Sequence, residues 1–266
     1  MVSIISAIYK SEHYLAKYIG YLRKFAKALL EKNFSFEVLI IATLPSKEEK
    51  ALLEKISKEP WCKIFEFNRR GLYAAWNFGV EKSSGEMIGP WNVDDVRFSE
   101  AVMEAEDLAG RGADVIYFPF YLKRYIKLGP FDLPVARREV SGEVLKFEKR
   151  KFETTMTAGP HFMFTKKAFE KVGPFDEQFK IAGDFDWCSR AASKSLKFAC
   201  GKNYSGIFRV DGRGLSAGAN KVLRAENNII YLRRNAKDKF TEGLEGLTGE
   251  YREDRLKFGE NWASLP

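Results

Sequence analysis

Short apolar runs alternate with longer segments of helical periodicity along the first 95 residues. Nearly continuous apolar runs, typical of strands buried on both faces, occur at Val2–Ile8, Phe36–Ala42, Cys62–Phe67 and Glu86–Pro90. Between them, apolar positions from Tyr14 to Leu29 recur at helical spacing behind Ser11, and a third helix fits Leu72–Lys82. Ser46 and Glu49 form the capping-box signature of a second helix. This order predicts an α/β fold with a mostly parallel, Rossmann-like central sheet flanked by helices.

The pattern after residue 95 predicts shorter elements. Ser99 is a candidate cap of a helix, and Asp114–Phe120 fits a strand. Gly129, Pro130 and Pro134 are typical of a loop. Further strands are predicted at His161–Phe164, Lys197–Cys200 and Ser205–Val210. Further helices are predicted from Thr165 to Gly173-Pro174, at Asp186–Ser193 and at Asn220–Arg234. The polar stretch from Asn235 onward is predicted to be a surface tail.

Ligands of open parallel sheets bind beyond the carboxyl ends of the strands. This rule selects the loops Ala7–Tyr9, Ala42–Thr43, Asn68–Gly71 and Trp91–Asp95. We expect these four loops to converge on one site.

Composition narrows the class of protein and the kind of metal site. The chain has 266 residues, 45% of them hydrophobic and 30% charged, which is ordinary for a globular protein. The start, MVSIISAIYK, lacks the basic region and cleavage site of a signal peptide, so we expect a cytoplasmic location. Three scattered cysteines and two histidines argue against disulfides and a zinc site. Any metal would be held by carboxylates, which favours Mg²⁺ or Mn²⁺.

The positive charge is concentrated in residues 121–152. The chain carries a net charge of +8, and this segment has nine Lys/Arg against four Asp/Glu, a net +5. One interpretation is a solvated, mobile surface segment. Another is contact with something anionic, such as a phosphorylated or lipid-linked acceptor, or peripheral binding to the inner face of a membrane. Nucleic acid is not expected as a partner, because no recognised binding motif accompanies the charge.

An acidic pair, Asp94 and Asp95, directly follows the fourth predicted strand. Two adjacent carboxylates are costly to bring together unless a cation neutralises them. A divalent ion held by carboxylates and substrate phosphates would neutralise this pair. A departing nucleoside diphosphate needs such an ion as well. The alternative is that the pair only begins a turn or caps a helix.

Three ordered blocks resemble the family-2 glycosyltransferases. The stretch from Asn68 to Asp95 contains a G-x-x-x-A-x-N-x-G segment, a Ser-Gly-Glu strand and the acidic pair. Val2–Lys10 is similar to the family's first strand and donor loop, and Gly173–Arg190 to its acceptor-side G-x-F-D-E-x-F motif. The resemblance covers about residues 2–215. It implies a GT-A fold and inverting transfer of a sugar from a nucleotide-sugar donor to an acceptor hydroxyl, without a glycosyl-enzyme intermediate.

The same resemblance implies a single GT-A domain over residues 1–266. Residues 1–95 would form the donor half and residues 96–215 the acceptor half. Residues 216–266 would form a helical tail.

The resemblance also implies roles for individual residues. Asp95 is the implied metal ligand, and Asp94 assists at the metal, the ribose or the diphosphate. Asp184 falls where the family has its catalytic base, which takes the proton of the acceptor hydroxyl. Asp186 is the second candidate for the base, although capping a helix explains it equally well. The implied donor-binding residues are Ala7, Tyr9, Arg70 and Asn77, of which Asn77 has a supporting role behind the donor loop.

Four further residues have competing interpretations. His161 is a structural histidine or a contact to the acceptor or a phosphate. Trp91 packs in the core or stacks on a sugar or base. Arg209 and Arg213 are candidates to bind the diphosphate.

Two departures from the family pattern leave the donor and the activity open. Ala42 stands where the family usually has an acidic residue that helps to hold the nucleotide base, and Arg69 and Arg70 stand near a usual Asp. A non-catalytic nucleotide- or carbohydrate-binding protein is therefore an alternative. A nucleotidyltransferase, which shares the fold class and the acidic metal site, is the alternative enzyme. The first loop, Ala7–Ser11, lacks the glycine that nucleotidyltransferases usually have there.

Overall fold

The computed structural model describes residues 1–128, 131–141, 145–215, 220–249 and 251. The strands in these ranges are β1 (Val2–Ile8), β2 (Phe36–Thr43), β3 (Cys62–Phe67), β4 (Met87–Pro90), β5 (Val96–Arg97), β6 (Val115–Tyr117), β7 (Phe120–Leu128), β8 (Phe131–Val140), β9 (Met163–Thr165), β10 (Phe198–Cys200) and β11 (Gly206–Val210). The α-helices are α1 (Glu12–Glu31), α2 (Lys47–Leu53), α3 (Leu72–Lys82), α4 (Ser99–Gly110), α5 (Lys149–Thr154), α6 (Lys166–Val172), α7 (Gly183–Ser193), α8 (Asn220–Arg233) and α9 (Glu245–Gly249). A 3-10 turn spans Lys237–Lys239.

A seven-stranded sheet forms the centre of the molecule, in the order β10-β6-β9-β4-β1-β2-β3. β1 pairs in parallel with β2 and β4, and β2 pairs in parallel with β3. β9 runs antiparallel to both of its neighbours, β4 and β6. The predicted mostly parallel sheet is therefore confirmed, and the strands predicted at its centre lie where the apolar runs indicated.

The central strands are apolar because helices cover both faces of the sheet. On one face, Ile4 belongs to the same core cluster as Leu15 and Leu22 of α1. On the other face, Ile5 shares a cluster with Trp76 of α3. A Cβ at Gly79 would lie 2.5 Å from Cγ2 of Ile5, so the glycine of the A-x-N-x-G segment lets α3 pack directly against β1.

Helix starts agree only partly with the predictions. The capping box of α2 is present: the Ser46 hydroxyl accepts from the Glu49 N–H, and the Glu49 carboxylate accepts from the Ser46 N–H. Ser11 precedes α1 without a capping side-chain bond. The prediction for Ser99 was wrong, because Ser99 is the first residue of α4 and Phe98 is its N-cap.

The segment predicted as a loop after residue 120 is a β-hairpin. β7 and β8 pair antiparallel from Phe120↔Val140 to Leu128↔Phe131, in a second sheet of order β5-β11-β7-β8. β8 is an edge strand, and Pro134 lies beside a register shift at Arg124/Tyr125. Edges and bulges are where a strand tolerates proline, because no ladder bond from its nitrogen is required. Gly129 and Pro130 lie outside the described residues.

Several residues in the described part of the predicted surface tail pack on the domain, although more than half of the described tail residues are exposed. Ala236 is buried, and Tyr251 packs against Phe179 and donates to Oε1 of Glu226 at 2.5 Å. Residues 216–219, 250 and 252–266 of the predicted helical tail lie outside the described residues. Among the described helices, none combines the length and the apolar character required to cross a bilayer.

Candidate active site

The loops selected from the sequence share one edge of the central sheet. β1, β2, β3 and β4 are mutually parallel, so their carboxyl ends point the same way. Backbone bonds continue the pairing just beyond β2 and β4: Leu44 N–H donates to the Phe67 carbonyl oxygen, and Trp91 N–H donates to the Ile5 carbonyl oxygen. Ala7, Tyr9 and Arg70 lie at this edge, with Tyr9 and Arg70 exposed.

Asp95 lies buried beneath this edge. Its Oδ1 accepts a hydrogen bond of 2.8 Å from the Arg209 N–H of β11. Its Oδ2 has no hydrogen-bond partner among the described residues and lies 3.7 Å from Nε2 of His161. Burial, together with the charge of neighbouring Asp94, raises the pKa of Asp95 well above its ordinary value.

Asp94 is the more accessible member of the acidic pair. It is half-buried and lines a cavity of about 20 Å³ together with Tyr14, Tyr125 and Arg209. Burial raises the pKa of Asp94, and the nearby carboxylate of Asp211 raises it further. The accessible oxygen ligand of the pair is therefore on Asp94, with Asp95 behind it.

These carboxylates fit a hard divalent cation. The pKa of both acids is raised, and one buried oxygen of Asp95 has no hydrogen-bond partner in the part of the chain that the structure describes. Added positive charge would therefore stabilise both ionised forms. Within the described ranges, no group of three His, Cys, Asp or Glu side chains is arranged to hold a metal. A cation here would take its remaining ligands from phosphate and water oxygens, as Mg²⁺ commonly does.

Arg209 and Arg213, the candidates to bind the diphosphate, both form ion pairs with an acidic residue of the β7–β8 hairpin. Asp132 of β8 accepts from Arg209 Nη2 at 2.5 Å and from Arg213 Nη2 at 2.8 Å. Asp211 also accepts from Arg209 Nε at 2.9 Å, and the Arg209 guanidinium lies 4.0 Å from the ring centre of Tyr125. Binding a diphosphate would require these arginines to exchange partners.

Asp184 lies half-buried in the first turn of α7. Its Oδ1 accepts from the Phe185 N–H at 2.8 Å and lies 3.3 Å from the Tyr73 hydroxyl. Tyr73 belongs to the first turn of α3, which follows β3, so Asp184 is held at the carboxyl edge of the sheet. Burial raises the pKa of Asp184 to about 6. Such a carboxylate is ionised at neutral pH yet more basic than an exposed one.

Glu226 of α8 holds the loop that precedes Asp184, and the sequence analysis did not identify it. Its buried carboxylate accepts from the N–H groups of Lys180 (2.7 Å), Ile181 (2.9 Å) and Ala182 (2.8 Å). The only signal in the sequence is an acid in the apolar stripe of a predicted helix, beside Ala225 and Ile229.

Asp186 has a structural role. α7 begins at Gly183, so Asp186 does not cap this helix, contrary to one interpretation of the sequence. Its buried carboxylate accepts from Arg190 Nε at 2.8 Å and Arg233 Nη1 at 2.5 Å. Although burial opposes it, these two arginines hold the pKa of Asp186 below its ordinary value. A carboxylate bound in this way is a poor proton acceptor.

Asn77 contacts the acceptor-side motif. Its Nδ2 donates to the Phe175 carbonyl oxygen (2.9 Å) and to Glu177 Oε1 (3.0 Å), and its Oδ1 accepts from the Phe175 N–H (2.9 Å). All three bonds tie α3 to the segment that follows Gly173. These bonds fit a supporting role for Asn77, and its donor-binding assignment stays a prediction.

Trp91 and His161 are both buried. The Trp91 indole packs edge-on against Tyr18 and Phe25 in the core, which leaves no face for a sugar. His161 Nδ1 lies 3.1 Å from the Ser205 hydroxyl oxygen. Burial, reinforced by the charge of Arg97, lowers the pKa of His161 well below its ordinary value, so the ring is a neutral structural group.

This mostly parallel sheet flanked by helices, with an acidic pair and a half-buried carboxylate at one edge, has the fold of the GT-A class of glycosyltransferases. Residues 3–173 match the family described as Glycosyl transferase family 2. The chain belongs to this family and is a glycosyltransferase. No curated protein sequence matches it significantly.

Solved structures support the GT-A fold. TarS from S. aureus (residues 1–349, in complex with UDP-GlcNAc) is similar with a TM-score of 0.63 and 16% identity, covering 96% of this chain and 77% of that one. The mannosyltransferase PcManGT from Pyrobaculum calidifontis, in complex with GDP-Man and Mn²⁺, is similar with a TM-score of 0.60 and 14% identity, covering 89% and 64%. At these identities the similarity establishes the fold alone.

Proposed function

We propose that this protein is an inverting, metal-dependent glycosyltransferase that moves a sugar from a nucleotide-sugar donor to an acceptor hydroxyl. The observation that carries the proposal is Asp184, a half-buried carboxylate with a pKa raised to about 6 at the same sheet edge as the acidic pair. A base of this strength is ionised at neutral pH and suits a displacement whose leaving group is stabilised by a cation.

The donor would bind at the carboxyl edge of β1–β4, with its diphosphate near Asp94. We assign Asp94 as the principal protein ligand of Mg²⁺ or Mn²⁺, because it lines the cavity and Asp95 is buried behind it. When bound, the cation would neutralise the charge of the departing nucleoside diphosphate. Mn²⁺ and GDP-Man in the complex of PcManGT support a cation and a nucleotide-sugar donor for this fold.

The transfer is a direct displacement at the anomeric carbon. The acceptor oxygen forms a bond to this carbon while the bond to the diphosphate oxygen breaks, and Asp184 accepts the proton of the hydroxyl. Attack from the face opposite the leaving group inverts the anomeric configuration. Arg209 and Arg213 would help to bind the diphosphate only after leaving Asp132.

We assign no identity to the nucleotide base of the donor, because buried Ala42 offers no side-chain hydrogen bond to it. The acceptor, a glycan or a lipid-linked sugar, is also a prediction, as is the cytoplasmic location.

The first test measures thermal stabilisation by a panel of nucleoside diphosphates, with and without Mn²⁺. A ligand that binds the folded state raises the unfolding temperature by mass action. We expect a metal-dependent shift with one nucleotide that disappears in Asp94→Ala and persists in Glu170→Ala, which removes an exposed carboxylate of α6. No shift with any nucleotide would favour the non-catalytic binding protein.

Product analysis then separates the two enzymatic alternatives. A glycosyltransferase releases a nucleoside diphosphate from the sugar nucleotide, whereas a nucleotidyltransferase releases pyrophosphate. Retention of anomeric configuration in the product would contradict the inverting mechanism.

A further inference from the structure

One face of the β7–β8 hairpin exposes four large apolar side chains. In an antiparallel pair, residues opposite each other share a face. The pairs Ile126↔Leu133 and Leu128↔Phe131 therefore lie together near the described end of the hairpin. These four residues, the apolar quartet, are between 41% and 68% exposed. Contiguous exposed apolar side chains of this size mark an interaction surface more often than a solvated one.

The charges on the same face are all positive. Arg124, paired with Ala136, and Arg138, paired with Leu122, are exposed on the side of the quartet. The acids Asp132 and Glu139 pair with Lys127 and Tyr121, which places them on the opposite face. The quartet is therefore flanked by two arginines with no acid of either strand beside them.

We infer that this face of the hairpin docks on an anionic membrane surface. The quartet would enter the boundary between headgroups and acyl chains, while Arg124 and Arg138 contact lipid phosphates. Apolar side chains beside cations that reach back to the headgroups are the combination that binds peripheral proteins to anionic bilayers.

The charge pattern favours a bilayer over a second copy of this chain. Two copies packed by this face would bring four arginines together with no acid of the strands to neutralise them, on molecules that each carry a net charge of +8. An anionic surface meets the same arginines with opposite charge.

The opposite face of the hairpin connects this surface to the active site. Asp132 and Tyr125 on that face contact Arg209, whose backbone N–H binds Asp95. A docked hairpin would hold the acidic edge close to the bilayer, within reach of a lipid-linked acceptor. Only this placement near a lipid-linked acceptor rests on the proposed function; the membrane docking itself does not.

The test is flotation of the full chain with vesicles of phosphatidylcholine mixed with phosphatidylglycerol, and with vesicles of phosphatidylcholine alone. We expect the wild type to float with the anionic vesicles only, and less at high salt. Leu128→Ser/Phe131→Ser and Arg124→Glu/Arg138→Glu should each lower the bound fraction about tenfold or more. The matched controls are Leu30→Ser, also exposed and apolar, and Lys24→Glu/Lys32→Glu, which changes the net charge equally.

Three results would overturn the inference. The first is that the wild type does not float with anionic vesicles, and the second is that the hairpin variants float as well as the controls. The third is that the wild type is a dimer and that Leu128→Ser/Phe131→Ser converts it to monomers. Nucleotide-induced thermal shifts, recorded on the same variants without vesicles, verify that each variant folds. They also report the donor site separately, so loss of docking and loss of the proposed function are distinguishable.

Discussion

The Tyr73 hydroxyl lies 3.3 Å from Oδ1 of Asp184 while it donates to the Ile181 carbonyl oxygen at 2.5 Å. A Cβ at Gly183 would lie 2.6 Å from the Tyr73 ring, so this approach requires glycine at that position. The first turn of α3 and the first turn of α7 are thereby fixed to each other. The carboxylate that we propose as the base is held by a residue more than a hundred positions earlier in the chain.

The first prediction concerns the pH dependence of transfer. Because burial raises the pKa of Asp184 to about 6, its ionised form prevails above that pH and is lost below it. We expect kcat/KM to rise with pH through about 6 and then to level off. Asp184→Asn should lower kcat by about 10²–10⁴-fold while nucleotide binding is retained. A profile that is flat between pH 5 and 7 would contradict this assignment.

The second prediction concerns Tyr73→Phe. The hydroxyl of Tyr73 lowers the pKa of Asp184 against the larger effect of burial, so its removal should raise that pKa. The rising limb of the kcat/KM profile should move to higher pH. Tyr117→Phe, which alters a buried tyrosine of β6 in the same core cluster, is the control and should leave the limb in place. An unshifted limb in Tyr73→Phe would separate Tyr73 from the base.

The third prediction concerns Glu226→Gln. The amide keeps one acceptor oxygen but turns an NH₂ group toward backbone donors, so the free energy of unfolding should fall by about 2–4 kcal/mol. Because the loop before Asp184 loses its support, kcat should fall while nucleotide affinity is unchanged. Glu242→Gln, at an exposed position, is the control. Equal losses in kcat and nucleotide affinity would indicate general unfolding.

The fourth prediction concerns Asp132→Asn. Removing this carboxylate frees the Nη2 groups of Arg209 and Arg213, while Arg209 keeps its bond to Asp211. A nucleoside diphosphate should therefore bind about three- to tenfold more tightly. Calorimetric titration measures the change, with Glu139→Gln on the same hairpin as the control. Weaker binding would mean that Asp132 holds the arginines in place for the ligand.

The fifth prediction separates Asp186 from Asp184. Asp186→Asn breaks a buried network with Arg190 and Arg233 and should cost about 3–5 kcal/mol of unfolding free energy. The pKa of Asp186 is lowered, so its contribution is present above the unfolded-state pKa of about 3.9 and is lost as pH falls below it. Urea unfolding at several pH values measures both effects. If Asp186→Asn abolished transfer with stability intact, Asp186 would be the better candidate for the base.

The sequence predicts what local patterning determines. The four strands of the parallel half and the capping box of α2 follow from apolar periodicity and from one pair of side chains. The sequence does not predict the hairpin, because β7 is stabilised by pairing with β11, which lies far along the chain, and because proline is typical of loops.

The acidic pair shows how much of the candidate site can be predicted from the sequence. Adjacency in the chain gives Asp94 and Asp95 equal weight, and only the tertiary structure buries Asp95 and leaves Asp94 half-buried. Glu226 was beyond reach for a similar reason, because its partners are backbone N–H groups, which every residue type in that loop except proline would offer.

The position of β9 constrains how the two predicted halves could be recombined between relatives. β4, which delivers the acidic pair, is bonded on one side to β1 and on the other to β9, whose residues follow the hairpin and α5. A chimera joined after residue 95 would combine a β4 and a β9 from different parents in the middle of one sheet. Crossover points beyond Thr165 keep this pairing intact, so exchanges of acceptor specificity by domain shuffling should begin there.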